Sequence, residues 1–255
     1  MALRLGVDHV HRHWPGPVAL VEVGASAGLN LLFDRYRYRF NGEAAATTGT
    51  SSVVVSSELR GSSGTDLFRT PPRITRRLGI DQHPVDLSDP DARAWLEAFT
   101  WPEQIEERAT LRDAVDLAAA TAAVSVVTGD ATTDTARILA ELPGREPVVV
   151  FTASLLSYLT TPARTAFVSQ LEEAARRRPV AWVFAEAPGL LATTSLDVAA
   201  LRGPLAQRNS RYLIGAGLRG AGQRCDQLLG LADPYLRWVS PARGPEDDFR
   251  WIPTD

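Results

Sequence analysis

The chain has 255 residues, 45% of them hydrophobic and 22% charged, a composition that suits one soluble globular α/β domain. Its formal net charge of −3 gives no electrostatic support for a nucleic-acid partner, and all 27 basic residues are arginines, which excludes a catalytic lysine. Cys225 is the only cysteine, and no apolar run reaches transmembrane length. We therefore expect a cytoplasmic protein without a disulfide, a metal site or a membrane segment.

Three strands are predicted in the first quarter of the chain. The apolar run at 18–23 predicts a strand buried on both faces, followed by a small-residue turn and the start of a helix. Residues 36–40 alternate between aromatic and charged side chains, which predicts a half-exposed strand. Residues 53–61 predict a second core strand.

Residues 62–122 are predicted to form a helical insertion. After a Gly-, Ser- and Pro-rich loop, residues 88–99 open with a helix-capping signal, and residues 102–120 keep helical apolar spacing. We expect Trp95 and Trp101 of this segment, like Trp182, to lie in the core.

Strands and helices alternate again from residue 123 to 187, and 211–220 and 235–241 are predicted to be a closing antiparallel pair. Such alternation is typical of a parallel sheet with helices on both faces. We therefore predict one α/β domain over 1–255, with a doubly wound, mostly parallel sheet.

The stretch "VEVGASAGLN" carries the main functional signal. Glycines after a core strand let the backbone approach a ligand closely, and the start of the next helix offers backbone N–H groups. Ser26 stands where a nucleotide-binding turn usually has its middle glycine. The alternative is a tight strand-to-helix corner that binds nothing.

Together with "GIDQHPVDL", "WPEQ" and "GDA", this stretch resembles the bacterial family known as domain of unknown function 2332, over about residues 17–240. That family resembles class I S-adenosylmethionine (SAM) methyltransferases in fold. The resemblance implies a SAM-type loop and further cofactor contacts, made by Glu22, Gly24, Ser26, Gly28, Asn30, Glu58 and Asp130. In it, Glu58 would hold the ribose and Asp130 would lie beside the adenine edge.

Two departures from the family pattern suggest other chemistry. Ser26 would crowd a ligand on the turn, and only about 17 residues precede the first strand, where family members carry a longer helical segment. We expect a second protein subunit to cover the apolar surface that this leaves.

The candidate catalytic and substrate residues follow predicted strands or lie in loops. Glu186 ends a strand and is a candidate base, as are Asp81 and Asp86 around "QHPV". Tyr158 is a further catalytic candidate. Substrate contacts are predicted for Arg60, as an anion clamp, and for the hydroxyls of Thr152 and Ser154.

Three hypotheses for function remain open. The first is a biosynthetic enzyme on a methyltransferase scaffold that works with a partner chain on a small, possibly carrier-bound molecule. It would have no cofactor and would catalyse an intramolecular displacement or elimination such as aziridine ring closure. The second is a SAM-dependent N- or O-methyltransferase. The third is a non-catalytic scaffold subunit.

Overall fold

The computed structural model describes residues 1–44, 49–60, 71–121, 123–191, 212–220 and 223–242. Within these residues eleven strands form one sheet. In chain order, β1 to β11 are Val18–Val23, Arg37–Phe40, Glu43–Ala44, Val54–Leu59, Ile74–Asp81, Ser125–Thr128, Val148–Ala153, Val180–Glu186, Tyr212–Gly220, Gln223–Ala232 and Trp238–Pro241. The helices α1 to α5 are Ala2–His13, Pro90–Ala98, Ile105–Ala119, Thr135–Glu141 and Thr161–Ala175, and short 3₁₀ helices cover Leu29–Arg35, Leu155–Tyr158 and Pro188–Leu190.

The strand order is β3-β2-β4-β11-β10-β9-β8-β7-β1-β5-β6. The five strands from β8 to β6 are parallel to one another. The middle of the sheet is antiparallel, because β9 pairs antiparallel with both β8 and β10, and β10 with β11. Beyond β11 the sheet continues through β4 and β2.

The prediction of a doubly wound, mostly parallel sheet is therefore wrong. The prediction that 211–220 and 235–241 pair with each other is also wrong: these segments form β9 and β11, and β10, which was not predicted, lies between them and pairs antiparallel with both. The long β9–β10 hairpin does not close the sheet. It joins the parallel strands on one side to β11, β4 and β2 on the other. The protein has an α/β fold with a mixed sheet.

The region predicted as a helical insertion also contains a core strand. Within residues 71–121, β5 precedes α2 and α3 and pairs parallel with every residue of β1, with one register shift after Val18. Its apolar pattern is interrupted by Arg76 and Arg77, which hid the strand. Arg77 is nearly buried. Its guanidinium forms a bidentate ion pair with Asp34, with both nitrogen–oxygen distances 2.7 Å, and this pairing offsets the cost of burying the charge. Residues 61–70 of the predicted loop lie outside the described part.

Two apolar cores lie on the two faces of the sheet. Helix α1 packs on β7, β8 and β9, and its core extends to Tyr38 of β2 and to Val53 just before β4. Helices α4 and α5 cover the other face of the parallel half, around Phe167 and Trp182. This packing holds the parallel strands rigid, so that the turns at their carboxyl ends have fixed positions.

Candidate functional site

In the turn after β1, three residues have a left-handed backbone conformation. Gly24, Ser26 and Gly28 have φ angles of 78°, 52° and 71°. Its amides are used inside the protein: those of Gly24 and Ala25 donate to the Ile80 carbonyl of β5, at 2.8 and 3.2 Å, and that of Gly28 donates to the Ala25 carbonyl at 2.7 Å. A turn whose amides are already paired is a poor phosphate cradle.

Glu22 lies on β1 just before this turn and is only 2% exposed. Its Oε1 accepts a hydrogen bond of 2.6 Å from Asn30 Nδ2, while Oε2 has no hydrogen-bond partner. Burial raises the pKa of Glu22 to about 8; the Asn30 hydrogen bond opposes this shift, and the nearby Asp81 charge adds to it. At neutral pH the carboxyl is therefore mostly protonated, and an approaching cation would favour its ionised form.

Asp81 ends β5 and fixes the turn. Its Oδ2 accepts from the Ser26 amide at 2.7 Å, and its Oδ1 accepts from the His83 amide at 2.8 Å. Asp81 is half-exposed, and each of its carboxylate oxygens can accept a further hydrogen bond. The structure thus brings Asp81 to the loop predicted to hold a cofactor, not to a separate catalytic loop.

Asp130, after β6, lies beside the same edge. Its Oδ2 accepts from Gln82 Nε2 at 2.5 Å, and its Oδ1 accepts from the amide and hydroxyl of Thr132. The Thr132 bonds hold the pKa of Asp130 below its usual range. Gln82 was not predicted; its position directly after Asp81 in "GIDQ" was the available signal.

A second group of candidates lies at the ends of β7 and β8. Glu186 is fully buried, and its Oε2 accepts from the Leu156 amide at 3.2 Å, which anchors the 155–158 helix. Burial raises its pKa to about 7, against hydrogen bonds from the Thr152 hydroxyl and the amides of Leu156 and Leu155. Thr152 is also buried, and its hydroxyl accepts from Trp182 Nε1 at 3.1 Å.

Ser154 directly precedes the 155–158 helix, and Tyr158 is the last residue of that helix. Ser154 is left-handed, with φ of 62°, and its hydroxyl lies 2.8 Å from the hydroxyl of Tyr212 at the start of β9. Tyr158 is 85% exposed. Tyr212 was not predicted, and no motif around it indicated a role, because it reaches Ser154 only through the β8–β9 pairing.

The two groups touch through Leu155. A Cβ placed on Gly24 would lie 3.1 Å from Leu155 Cδ1, so the 155–158 helix packs directly against the turn after β1. Because Glu186 anchors the 155–158 helix, it also fixes the residues that pack beside Glu22 and Asp81 at the carboxyl ends of the strands.

Two predicted residues lie apart from this edge. Glu58 and Arg60 are on and after β4, six strands from β1 and roughly 29 Å along the sheet at about 4.8 Å per strand. They pair with each other at 2.9 Å, and Arg60 also stacks over Trp238. Asp86, in contrast, follows Val85, whose amide donates to the Ser26 carbonyl of the turn at 3.2 Å. Its own carboxylate is exposed and accepts from the amide and hydroxyl of Ser88, ahead of α2.

The described residues contain no group of three or more His, Cys, Asp or Glu side chains arranged to hold a metal ion. In the same part of the chain, every helix is too short or too polar to span a bilayer.

The chain belongs to the family described as "Uncharacterized protein conserved in bacteria (DUF2332)", whose model matches residues 1–240. No curated protein matches this chain by sequence. The resemblance carried by the turn after β1 and by "GIDQHPVDL" is thus confirmed as family membership.

Proposed function

We propose that this protein is a bacterial cytoplasmic enzyme that acts on a small molecule and binds SAM at the carboxyl ends of β1, β5 and β6. The observation that carries the proposal is the buried Glu22 next to the turn after β1, whose Oε2 has no hydrogen-bond partner. A ligand ammonium group would supply the missing partner and ionise the carboxyl.

The other groups at this edge fit the rest of SAM. Asp81 keeps acceptor capacity for the two ribose hydroxyls, and Gln82 and Asp130 offer polar contacts for an adenine edge. The paired amides of the turn favour a ligand without phosphate groups, which supports SAM over a dinucleotide. Asn30 spans from solvent to Glu22 and would align the carboxyl.

When bound, SAM would supply an activated methyl group for transfer to a nitrogen or oxygen. The protein's part is to hold the acceptor in line, which is mainly a matter of proximity. The hydroxyls of Ser154 and Tyr212, at the neighbouring strand ends, would hold that acceptor.

Calorimetry with SAM, S-adenosylhomocysteine and adenosine tests the proposal. We expect the first two to bind with micromolar dissociation constants. Below pH 8 their affinity should rise with pH, up to tenfold per unit, because binding ionises Glu22 and releases a proton. Adenosine, which lacks the ammonium group, should bind more weakly and without this pH dependence.

Glu22→Gln should weaken SAM binding at least tenfold and abolish its pH dependence, while Glu58→Gln, far along the sheet, serves as the matched control. Equal binding by Glu22→Gln and the parent protein would refute the role of Glu22. No binding of any of the three compounds would refute the proposal as a whole. SAM binding without methyl transfer to amine or hydroxyl acceptors would instead favour the non-methylating enzyme.

A further inference from the structure

The α2–α3 hairpin presents large apolar side chains to solvent. Trp95, Phe99, Trp101 and Ile105 are 68%, 73%, 68% and 74% exposed. Trp95 and Phe99, four residues apart on α2, pack edge to face with ring centroids 5.7 Å apart. We name these four residues the hairpin patch. Aromatic residues of this size, left open together, mark interaction surfaces in soluble proteins.

Hydrogen bonds and an ion pair hold the α2–α3 hairpin together, although the apolar side chains on its outer face are exposed. Asp89 caps α2 by accepting from the Asp91 amide at 2.9 Å, and Glu97 of α2 pairs with Arg112 of α3 at 2.8 Å. The turn between the helices is closed by two hydrogen bonds between Trp101 and Gln104, each 3.0 Å. No residue of α2 is buried, so the helix is held by polar contacts and its aromatic side is free for a ligand.

Charge indicates the kind of ligand. Between residues 86 and 116 the sequence has nine acidic residues and three arginines, a net charge of −6 in a chain whose total is −3. Glu103, Glu106 and Glu107 are exposed beside Trp101 and Ile105. Glu107 also lies near Arg237, whose main partner is Asp233. Such a surface repels nucleic acid and anionic lipid. A second copy placed hairpin to hairpin would bring −6 against −6.

We infer that the hairpin patch is the docking surface for a different protein, whose contacting face carries lysine or arginine around an apolar groove. Tryptophan and phenylalanine act as anchors at the centre of such interfaces, and the acidic rim steers the basic partner and sets its orientation. The inference concerns a surface separate from the SAM site and stands whether or not SAM binds.

The probe is a fluorescein-labelled synthetic peptide of leucine and lysine in helical spacing, measured by fluorescence anisotropy. The matched probe has glutamate in place of every lysine. We expect the lysine peptide to bind and the glutamate peptide not to bind. The double variant Trp95→Ser/Phe99→Ser should weaken binding at least tenfold. Tyr235→Ser, a change at an aromatic residue 62% exposed after β10, should leave it unchanged.

The triple variant Glu103→Gln/Glu106→Gln/Glu107→Gln should weaken binding and flatten its dependence on salt. All substituted side chains are exposed, so thermal melts and SAM binding should match the parent protein; if the double variant fails to fold, Phe99→Ser alone replaces it. The inference is overturned if the lysine peptide does not bind, if both peptides bind alike, or if the double variant binds as well as the parent. Light scattering that finds a dimer dispersed by the double variant would assign the patch to a second copy and also overturn it.

Discussion

Replacing Glu22 by glutamine should change how stability depends on pH. The native pKa of this carboxyl is about 8, against 4.5 for the ordinary group. Between these values the unfolded chain is ionised while the native protein keeps the proton. Because the native state then binds more protons, its stability falls as pH rises, by up to about 1.4 kcal/mol per pH unit from this group alone.

Glutamine is the matched neutral replacement for the protonated carboxyl. Its Oε1 can still accept from Asn30, and its amide takes the place of the unpartnered Oε2. Parent and variant should have similar free energies of unfolding only below the ordinary pKa of 4.5, and at pH 5.5 the parent has already lost about 1.4 kcal/mol through this group. Between pH 5.5 and pH 7.5 the variant should gain about 2.5 kcal/mol more over the parent, since only the parent loses stability through this group.

Urea unfolding at the two pH values, followed by circular dichroism, measures this difference. Taking the difference between parent and variant cancels every other titrating group. A variant whose stability falls with pH as steeply as that of the parent would show that Glu22 is already ionised in the native state, and the argument from its burial would fail.

Three further changes probe the surroundings of the site, all by urea unfolding. Gly28→Ala should lower the free energy of unfolding by about 2–4 kcal/mol, because φ is +71° and the new Cβ would lie 2.9 Å from a valine methyl. Gly42→Ala, at a φ of +84° with open space around the new Cβ, should lower it by only about 1 kcal/mol. Equal losses would contradict the packing argument. Arg77→Ala should cost about 3 kcal/mol because Asp34 would lose its partner, and a loss below about 1 kcal/mol would count against a structural ion pair. Glu186→Gln should flatten the pH dependence of stability between pH 5 and 7, since a native pKa of about 7 means that stability falls as pH rises through that range; an unchanged slope would mean that the group titrates normally.

The sequence was informative where the pattern is local. The apolar run at 18–23 coincides with β1, and "YRYRF" predicted β2 with its alternating burial. The capping signal before residue 90 is realised by Asp89 and Pro90 at the start of α2. Glu186 was placed at the sheet edge because it ends a predicted strand and the carboxyl ends of parallel strands share one edge, whereas Asp130 was placed there through the family resemblance alone.

The misses come from contacts between distant parts of the chain. β5 was overlooked because a buried arginine interrupts it, and only a partner 43 residues away makes that burial tolerable. Because β5 was not predicted, Glu58 was assigned to the end of the strand next to β1. In the structure that strand is β5, and Asp81 is the acid at its end. Trp95 and Trp101 were expected in the core because of their size, but they are exposed, and the helical spacing of α2 does not reveal that none of its residues is buried. Trp182, on β8, is in the core as expected.

The burial of helix α1 has a consequence for synthesis of the protein. The helix packs on β8 and β9, which begin at residues 180 and 212. At roughly 5–20 residues per second, the ribosome needs about ten seconds or more to make these strands after α1 has emerged. During that interval the helix exposes an apolar stripe and the Arg4–Asp8 ion pair that the native protein encloses. The early chain therefore exposes apolar surface of the kind that chaperones bind, and α1 reaches its native contacts only after the later strands are made.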